Sequence, residues 1–518
     1  MPRRHARTGA HFLLAAVSPY PRAVPDSSDL TPYQRRAAAA LLREPAAAMT
    51  GLARLFAAEG HELALVGGMV RDVFLRRQVE GREYDLATDA RPEQVRQITA
   101  RWADKIWETG IEFGTVGLRK GDIVCEITTY RSDKYEPGSR RPAEVIYGRS
   151  LEEDLGRRDF TVNAIAALLP SLELVDPFGG MRDLRARVLR TPGRPEDSFN
   201  DDALRMLRAA RFAAQLGFAV EPDVRAAMTE MAGRLSVVSA ERISGELTKL
   251  IRSPGPDGPV RGISVLVDTG LAEQVLPEVP KLRLERDEHF RHKDVYQHTL
   301  TVLARATTLE AAYGLENDLV VRLAALLHDI GKPKTRRKLP DGRVAFHHHE
   351  VVGAAMARDR LTALRFPAAV VADVSELIAL HLRFHGYGEG EWTDSAVRRY
   401  VRDAGSLLTR LHVLTRADCT TRNKAKAQRL ERSYDELEKR IAALSTQEEL
   451  DKIRPDLNGT EIMQILGQPP GPLIGQARRY LLDLRMEYGP LGRDRATHEL
   501  LLWAEAEGVD VPGGPGED

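Results

Sequence analysis

The chain has 518 residues, 43% hydrophobic and 29% charged. At ~150 residues per domain this length predicts three domains or more, and the balance excludes a fibrous, collagen-like or wholly disordered polypeptide. Lys plus Arg and Asp plus Glu each number 75, so the formal net charge is zero and a nucleic-acid partner must meet a local basic surface. The cysteines, Cys125 and Cys419, are too few for a disulfide framework or a four-thiolate zinc site. A reducing cytoplasm is the expected compartment.

The start, MPRRHARTGAHFLLAAV, is basic and then briefly apolar, but too short to span a bilayer. Residues 1–45 are read as a disordered extension, and no membrane association is expected. From His61, HELALVGGMVRD predicts a strand, a Gly-Gly turn and a helix; EYDLAT and IVCEITTYR predict strands, with a helix over ARPEQVRQITARW between them. This alternation predicts an α/β head over 46–192. After TPGRPEDSF the helical period dominates, giving an all-α neck (193–280), a second helical domain (285–435) and a helical tail (436–518).

Gly67 and Gly68 stand between strand and helix, where backbone can approach a phosphate at a helix N-terminus; Arg71 lies one turn on. Glu83 and Asp85, two apart on a strand, point to one face, and Glu126 on a later strand can join them. Such carboxylates can hold Mg²⁺ ions that bridge a nucleotide's phosphates. RRDFTVNA supplies Arg157, Arg158, Asp159 and Asn163, and DPFGG a glycine turn. In DDALRMLRAARF, Asp202, Arg205, Arg208 and Arg211 recur every three residues, which predicts one helix face. A carboxylate accepts from an exocyclic amine and a guanidinium donates to a ring nitrogen, so Asp202 and Arg205 can select cytosine and adenine without a template. Arg208 is placed for triphosphate oxygens.

The ordered run GGMVRD, EYDLATDA, RRDFTVNA, DPFGG and DDALRMLRAARF resembles the bacterial class II CCA-adding tRNA nucleotidyltransferases, whose polymerase β-like head is shared with poly(A) polymerases. The resemblance implies nucleotide contacts at Gly68, Arg71, Arg158, Asp159, Asn163, Asp202, Arg205 and Arg208, and Mg²⁺ on Glu83 and Asp85, with Glu126 as a third catalytic acid beside them. It also implies tRNA, CTP and ATP as substrates. Two positions depart from the pattern. Glu83 stands where the family has Asp, its extra methylene set against an ion that demands near-octahedral ligands at ~2.0–2.1 Å; Asp201 stands where the selector motif usually has Glu.

Further on, DVYQHTL carries His298, LLHDIGKP carries His328 and Asp329, and TRADC carries Asp418. A His-Asp pair on an apolar helix is costly to bury unless a metal compensates. The order resembles an HD domain, which implies His298, His328, Asp329 and Asp418 as ligands of one ion. A second ion would take His381 and His349, the latter chosen among His347, His348 and His349 because it directly precedes Glu350. Lys332 is placed to bind phosphate, and Mn²⁺, Ni²⁺ or Co²⁺ is the expected ion. Arg422, Lys424, Lys426, Arg429 and Arg432 form a basic run for an RNA backbone, and the tail resembles the family's tRNA-gripping body. The expected activity is addition of C, C and A to tRNA; the alternatives are a poly(A) polymerase and a metal-dependent phosphohydrolase with an inactive head.

Overall fold

The computed structural model describes residues 31–77, 83–111, 114–131, 147–148, 150–284, 294–340, 344–384, 392–419, 424–448, 454–509 and 511. It forms two compact units that divide between Arg194 and Pro195.

The first unit is built on a seven-stranded sheet in the order β3-β4-β5-β2-β1-β6-β7. Strand β1 (Leu63–Val66), LALV, is buried at all four positions, as a strand covered on both faces must be. It pairs antiparallel with β2 (Glu83–Thr88) and β6 (Ala166–Leu169). β2 instead runs parallel to β5 (Ile123–Thr129), and β3 (Lys105–Trp107), β4 (Thr115–Lys120) and β7 (Glu173–Val175) complete the sheet with antiparallel pairings. Along β2 the period of two leaves Glu83 and Asp85 exposed while Tyr84 and Leu86 are buried. Around it lie α1 (Pro32–Ala47), α2 (Thr50–Ala58), α3 (Gly68–Phe74), α4 (Pro92–Thr99), α5 (Leu151–Gly156) and α6 (Gly180–Ala186). One core cluster joins Ala64, Val66 and Ala87 to Leu151, Leu155 and Ala164.

Two sequence expectations change here. The extension expected to reach residue 45 is helical from Pro32, because Ala38, Leu42 and Ala46, spaced by four, bury one face of an alanine-rich helix; residues 1–30 lie outside the described residues. The sheet also gains β3, β4, β6 and β7, short strands whose alternation is too brief to read alone.

The second unit is helical: α7 (Pro195–Asp201), α8 (Leu204–Leu216), α9 (Pro222–Glu230), α10 (Ala240–Ile251), α11 (Asp257–Asp268) and α12 (Leu271–Val275) come first. Then follow α13 (Val295–Leu309), α14 (Leu319–Leu327), α15 (Lys332–Thr335), α16 (His349–Ala363), α17 (Ala368–Leu380), α18 (Asp394–Ala404), α19 (Leu408–Asp418) and α20 (Lys424–Glu448). The last three, α21 (Gly459–Leu466), α22 (Pro472–Tyr488) and α23 (Arg493–Ala506), close their own core around Leu457, Ile462, Ala477, Leu481 and Leu500.

All nine residues of α14 are buried, and one of them is Arg322, 2% exposed. Its guanidinium donates to both carboxylate oxygens of Glu310, to Asn317 Oδ1, and to the carbonyls of Ile251 (2.9 Å) and Ser253 (2.8 Å) at the end of α10. This fully partnered buried charge ties α14 to the preceding helices. Arg322→Met strands Glu310, itself 3% exposed, and is expected to cost ~3–5 kcal/mol, read as a lower denaturant midpoint for this unit. Replacing Glu310 by Leu in the same chain is expected to recover part of that loss.

Candidate functional sites

The parallel pairing of β2 and β5 sets Asp85 directly beside Glu126, with Glu83 two residues back on the same face. The three predicted carboxylates are therefore brought together. The Asp85 carboxyl is pushed up, by desolvation first and by Glu83 in addition, against the lowering effect of Arg158. Glu126 is raised by desolvation and by the charges of Asp85 and Glu83. Mutually repelling carboxylates of this kind are a ready oxygen-donor set for a hard divalent cation.

Gly67 takes φ +75°, and a side chain there would meet Arg158 Nη1 at 3.2 Å and Asp85 Oδ2 at 3.6 Å. The turn needs glycine for conformation and for space alike. Arg158 is thus held between the turn and the carboxylates, while Arg71 has a different setting. It is 7% exposed, donates from Nε and Nη2 to Asp72 and from Nη1 to Asn163 Oδ1 (2.6 Å), and so braces α3. Asn163 in turn donates to Asp159 Oδ1 (2.9 Å). DPFGG acts as a clasp: Asp176 accepts from the backbone N–H of Gly180 and Met181, and Asp183 accepts from Thr161 Oγ1. A Cβ on Gly180 would lie 2.2 Å from the Thr161 carbonyl.

In the second unit, Asp202 does not share the helix face expected of it. It sits in the break between α7 and α8, where its Oδ1 accepts from the Leu204 N–H (3.0 Å), as carboxylates before helices do. Its Oδ2 accepts from Arg242 Nη2 (2.7 Å). Arg205 and Arg208 do lie on α8, and Arg205 Nη1 donates to Ser198 Oγ (2.9 Å). Arg211 is structural, paired with buried Glu246 of α10 (2.6 Å). Sequence reading passed over Arg242 and Ser198, for no local spacing links them to the selector motif.

The six predicted metal-site residues of the second constellation converge from helix ends. His298 lies on α13; His328 and Asp329 follow α14, His349 opens α16, His381 follows α17, and Asp418 ends α19. Their ligand atoms group as His298, His328, Asp418 and as Asp329, His349, His381. Asp329 faces both groups, with Oδ2 3.2 Å from His328 Nε2 and Oδ1 3.3 Å from His349 Nε2. His328, His349 and His381 each donate Nδ1–H to the carbonyl three residues back, at 2.9, 2.8 and 2.6 Å, which turns every Nε2 inward. Sealed from solvent, His381 Nε2 has no hydrogen-bond partner among the described residues. This donor set fits a divalent transition ion.

Charges in this site answer to its burial. Burial opposes a proton on His328, yet Asp329 and Asp418 overcome it and raise that group to about 10. Burial and the charge of His328 lower His381 to about 3. Lys332 Nζ lies 2.9 Å from Asp329 Oδ2. Of the basic run, Arg429 and Arg432 are exposed on α20; Arg422 and the side chains of Lys424 and Lys426 lie outside the described residues.

Residues 63–190 match the family described as Poly A polymerase head domain. Residues 217–282 match the probable RNA and SrmB-binding site of polymerase A, and 295–423 the HD domain. The chain is 35% identical over 451 residues to an A-adding tRNA nucleotidyltransferase of Deinococcus radiodurans, covering 85% of this chain and 95% of that protein. It is 39% identical over 263 residues to a CCA-adding enzyme of Levilactobacillus brevis, covering 50% of this chain and 62% of the relative. A crystal structure of the Bacillus stearothermophilus CCA-adding enzyme in complex with CTP superposes with a TM-score of 0.62 at 26% identity, covering 90% of this chain and 98% of that one.

Two outcomes follow from the geometry. Carboxyls raised by desolvation and by one another's charge oppose folding while ionised, so stability without metal should grow as pH falls through their raised values. Glu126→Gln is accordingly expected to raise the metal-free melting temperature by roughly 1–3 °C at neutral pH and to shrink the stabilisation that Mg²⁺ gives. At the other site, a Cβ on Gly331 would lie 2.2 Å from the His349 carbonyl and 2.7 Å from the Gly353 nitrogen. Gly331→Ala must push α16 away from Asp329, and Mn²⁺ binding measured by calorimetry is expected to weaken about 10- to 100-fold.

Proposed function

Because the chain belongs to the bacterial CCA-adding tRNA nucleotidyltransferase family, of the kind with an HD domain, we propose that it adds C, C and A to the 3′ end of tRNA from CTP and ATP. The observation that carries this reading is the juxtaposition of Asp85 and Glu126 across parallel strands, with Arg158 against the Gly67 turn beside them. The tRNA 3′-hydroxyl attacks the α-phosphate; one P–O bond forms, the bond to the bridging oxygen breaks, and pyrophosphate leaves. Glu83, Asp85 and Glu126 would hold Mg²⁺, which when bound neutralises phosphate charge and eases ionisation of the hydroxyl. Arg158 orients the triphosphate, with Gly68 giving backbone access and Arg71, Asp159 and Asn163 keeping the turn in shape. Asp202 accepts from the base's exocyclic amine, Arg205 donates to its ring nitrogen, and Arg208 supports the phosphates.

In this reading residues 46–192 carry the chemistry, 193–280 select the base, and 436–518 hold the tRNA with the basic face of α20. The HD domain, 285–435, holds Mn²⁺, Ni²⁺ or Co²⁺ on His298, His328 and Asp418 and on Asp329, His349 and His381. Lys332 there binds phosphate. The free thiols of Cys125 and Cys419 accord with the cytoplasm as its compartment, and among the described residues no helix is long and apolar enough to cross a membrane.

A second reading is favoured by one observation: the relative matched along nearly its whole length is an A-adding tRNA nucleotidyltransferase. This chain would then add only the terminal A to a tRNA ending in CC. The test uses transcripts lacking three nucleotides or one, incubated with Mg²⁺ and with CTP, ATP or both, and resolved at single-nucleotide length. Growth by two with CTP and by three with both is the expected result, and shows that Glu83 serves in place of Asp. Growth by one A, only on the transcript ending in CC, establishes the second reading. No growth on either transcript overturns both.

A further inference from the structure

A fully buried carboxylate in the head takes no part in the chemistry described above. Asp154, on α5, is 0% exposed and lies one turn ahead of two consecutive arginines. Its Oδ1 accepts from Arg157 Nε (3.0 Å) and Nη2 (2.6 Å), and its Oδ2 from Arg158 Nε (3.3 Å) and Nη2 (3.0 Å). One carboxylate thus grips two guanidinium forks, an arrangement that fixes the plane of each. With Nε and Nη2 of Arg158 committed to Asp154, its remaining terminal nitrogen, Nη1, is the one that lies against the Gly67 turn. Removing such a buried partner leaves the arginine with its charge but without its orientation.

We infer that Asp154 is a positioning residue for nucleotide binding: it holds Arg158 so that Nη1 is presented, before any nucleotide arrives, to the triphosphate at the Gly67 turn. The inference rests on the proposed reading of Arg158 as a triphosphate contact. Since the triphosphate is common to both substrates, Asp154 acts on CTP and ATP alike, unlike a residue that reads the base. Pre-organisation lowers the cost of ordering the bound state, so its loss falls on KM more than on kcat. A side chain needed only for folding has the opposite signature, because a smaller active fraction lowers apparent kcat and leaves KM where it was.

The experiment compares Asp154→Asn, Arg158→Lys and the double variant in the full chain, with KM and kcat measured for each nucleotide on tRNA. Asp154→Asn is expected to raise KM about tenfold for both CTP and ATP, with kcat within about twofold. In the Arg158→Lys background the same change is expected to move KM less than about twofold, since the fork it orients is gone. Should Asp154→Asn not fold, Asp154→Glu, which keeps the charge but advances it by one methylene, is expected to raise KM likewise. Unchanged KM in a folded Asp154 variant, a rise for one nucleotide only, or an equal rise in the Arg158→Lys background overturns the inference. If the wild-type chain extends no tRNA, the functional reading fails by itself. Calorimetry with CTP and Mg²⁺ then decides the inference separately: a Kd about tenfold weaker in Asp154→Asn supports it, and equal affinity, or no binding to the wild type, overturns it.

Discussion

Charge held out of water governs this molecule, because an ion in a protein interior is tolerated only with its partners in place. Three of its packing joints are ion pairs with buried members. Asp154 grips Arg157 and Arg158 in the head, Arg211 meets Glu246 between α8 and α10, and Arg322 joins Glu310 and two carbonyls at the end of α10. Asp154 and Glu310 each engage their arginines with both carboxylate oxygens, and Arg211 divides its donors between Glu246 and Gln215. The two candidate sites differ from these joints and from each other. At Glu83, Asp85 and Glu126 carboxylates gather beyond what Arg158 compensates, whereas, against desolvation, the histidines and Lys332 around Asp329 and Asp418 hold both carboxyls well below the usual carboxylate range.

Helix termini explain how the second site is assembled. A helix end leaves carbonyls without intrahelical partners, and His328 and His381 satisfy the carbonyls of Ala325 and Ile378 with Nδ1. That bond removes one terminal acceptor and at the same time fixes which nitrogen faces the centre. Secondary structure and ligand orientation are therefore one event at these positions. The glycine at 331 completes it, since only a residue without Cβ lets the turn after Asp329 lie against the start of α16.

Much of this was legible from sequence where the chemistry follows local period. Alternation placed Glu83 and Asp85 on one face, and the strand at IVCEITT put Glu126 within reach, though only the parallel register shows it beside Asp85. The His328-Asp329 pair stood out because such groups on an apolar helix are costly to bury without a compensating ion, while the full set of candidate ligands came with the resemblance to an HD domain. Local period failed where a residue serves the backbone instead. Asp202 leaves the expected helix row, its carboxylate accepting from the Leu204 N–H in the break before α8, and Arg71 turns from solvent to Asp72 and Asn163. Arg242 could not be found, as forty residues separate it from Asp202 and only folding pairs them. Asp154 had a signal in hindsight, an acid three and four residues before two arginines, but that pattern is more often an exposed helix face than a buried clamp.

The donor chemistry also separates the two candidate sites within one chain. The head offers carboxylate oxygens only, which suit a hard ion that keeps several waters and binds phosphate oxygens as further ligands. The helical site offers four imidazole nitrogens and two carboxylates, and nitrogen donors favour the later first-row ions over Mg²⁺ by the ordinary order of affinities. A hard ion is therefore better matched to the carboxylates of the head than to the histidines. A transition ion is better matched to the helical site, where each group of three donors includes two imidazoles. Each site's preference is therefore set by its donors. It follows from which atoms the strands and which the helix ends present.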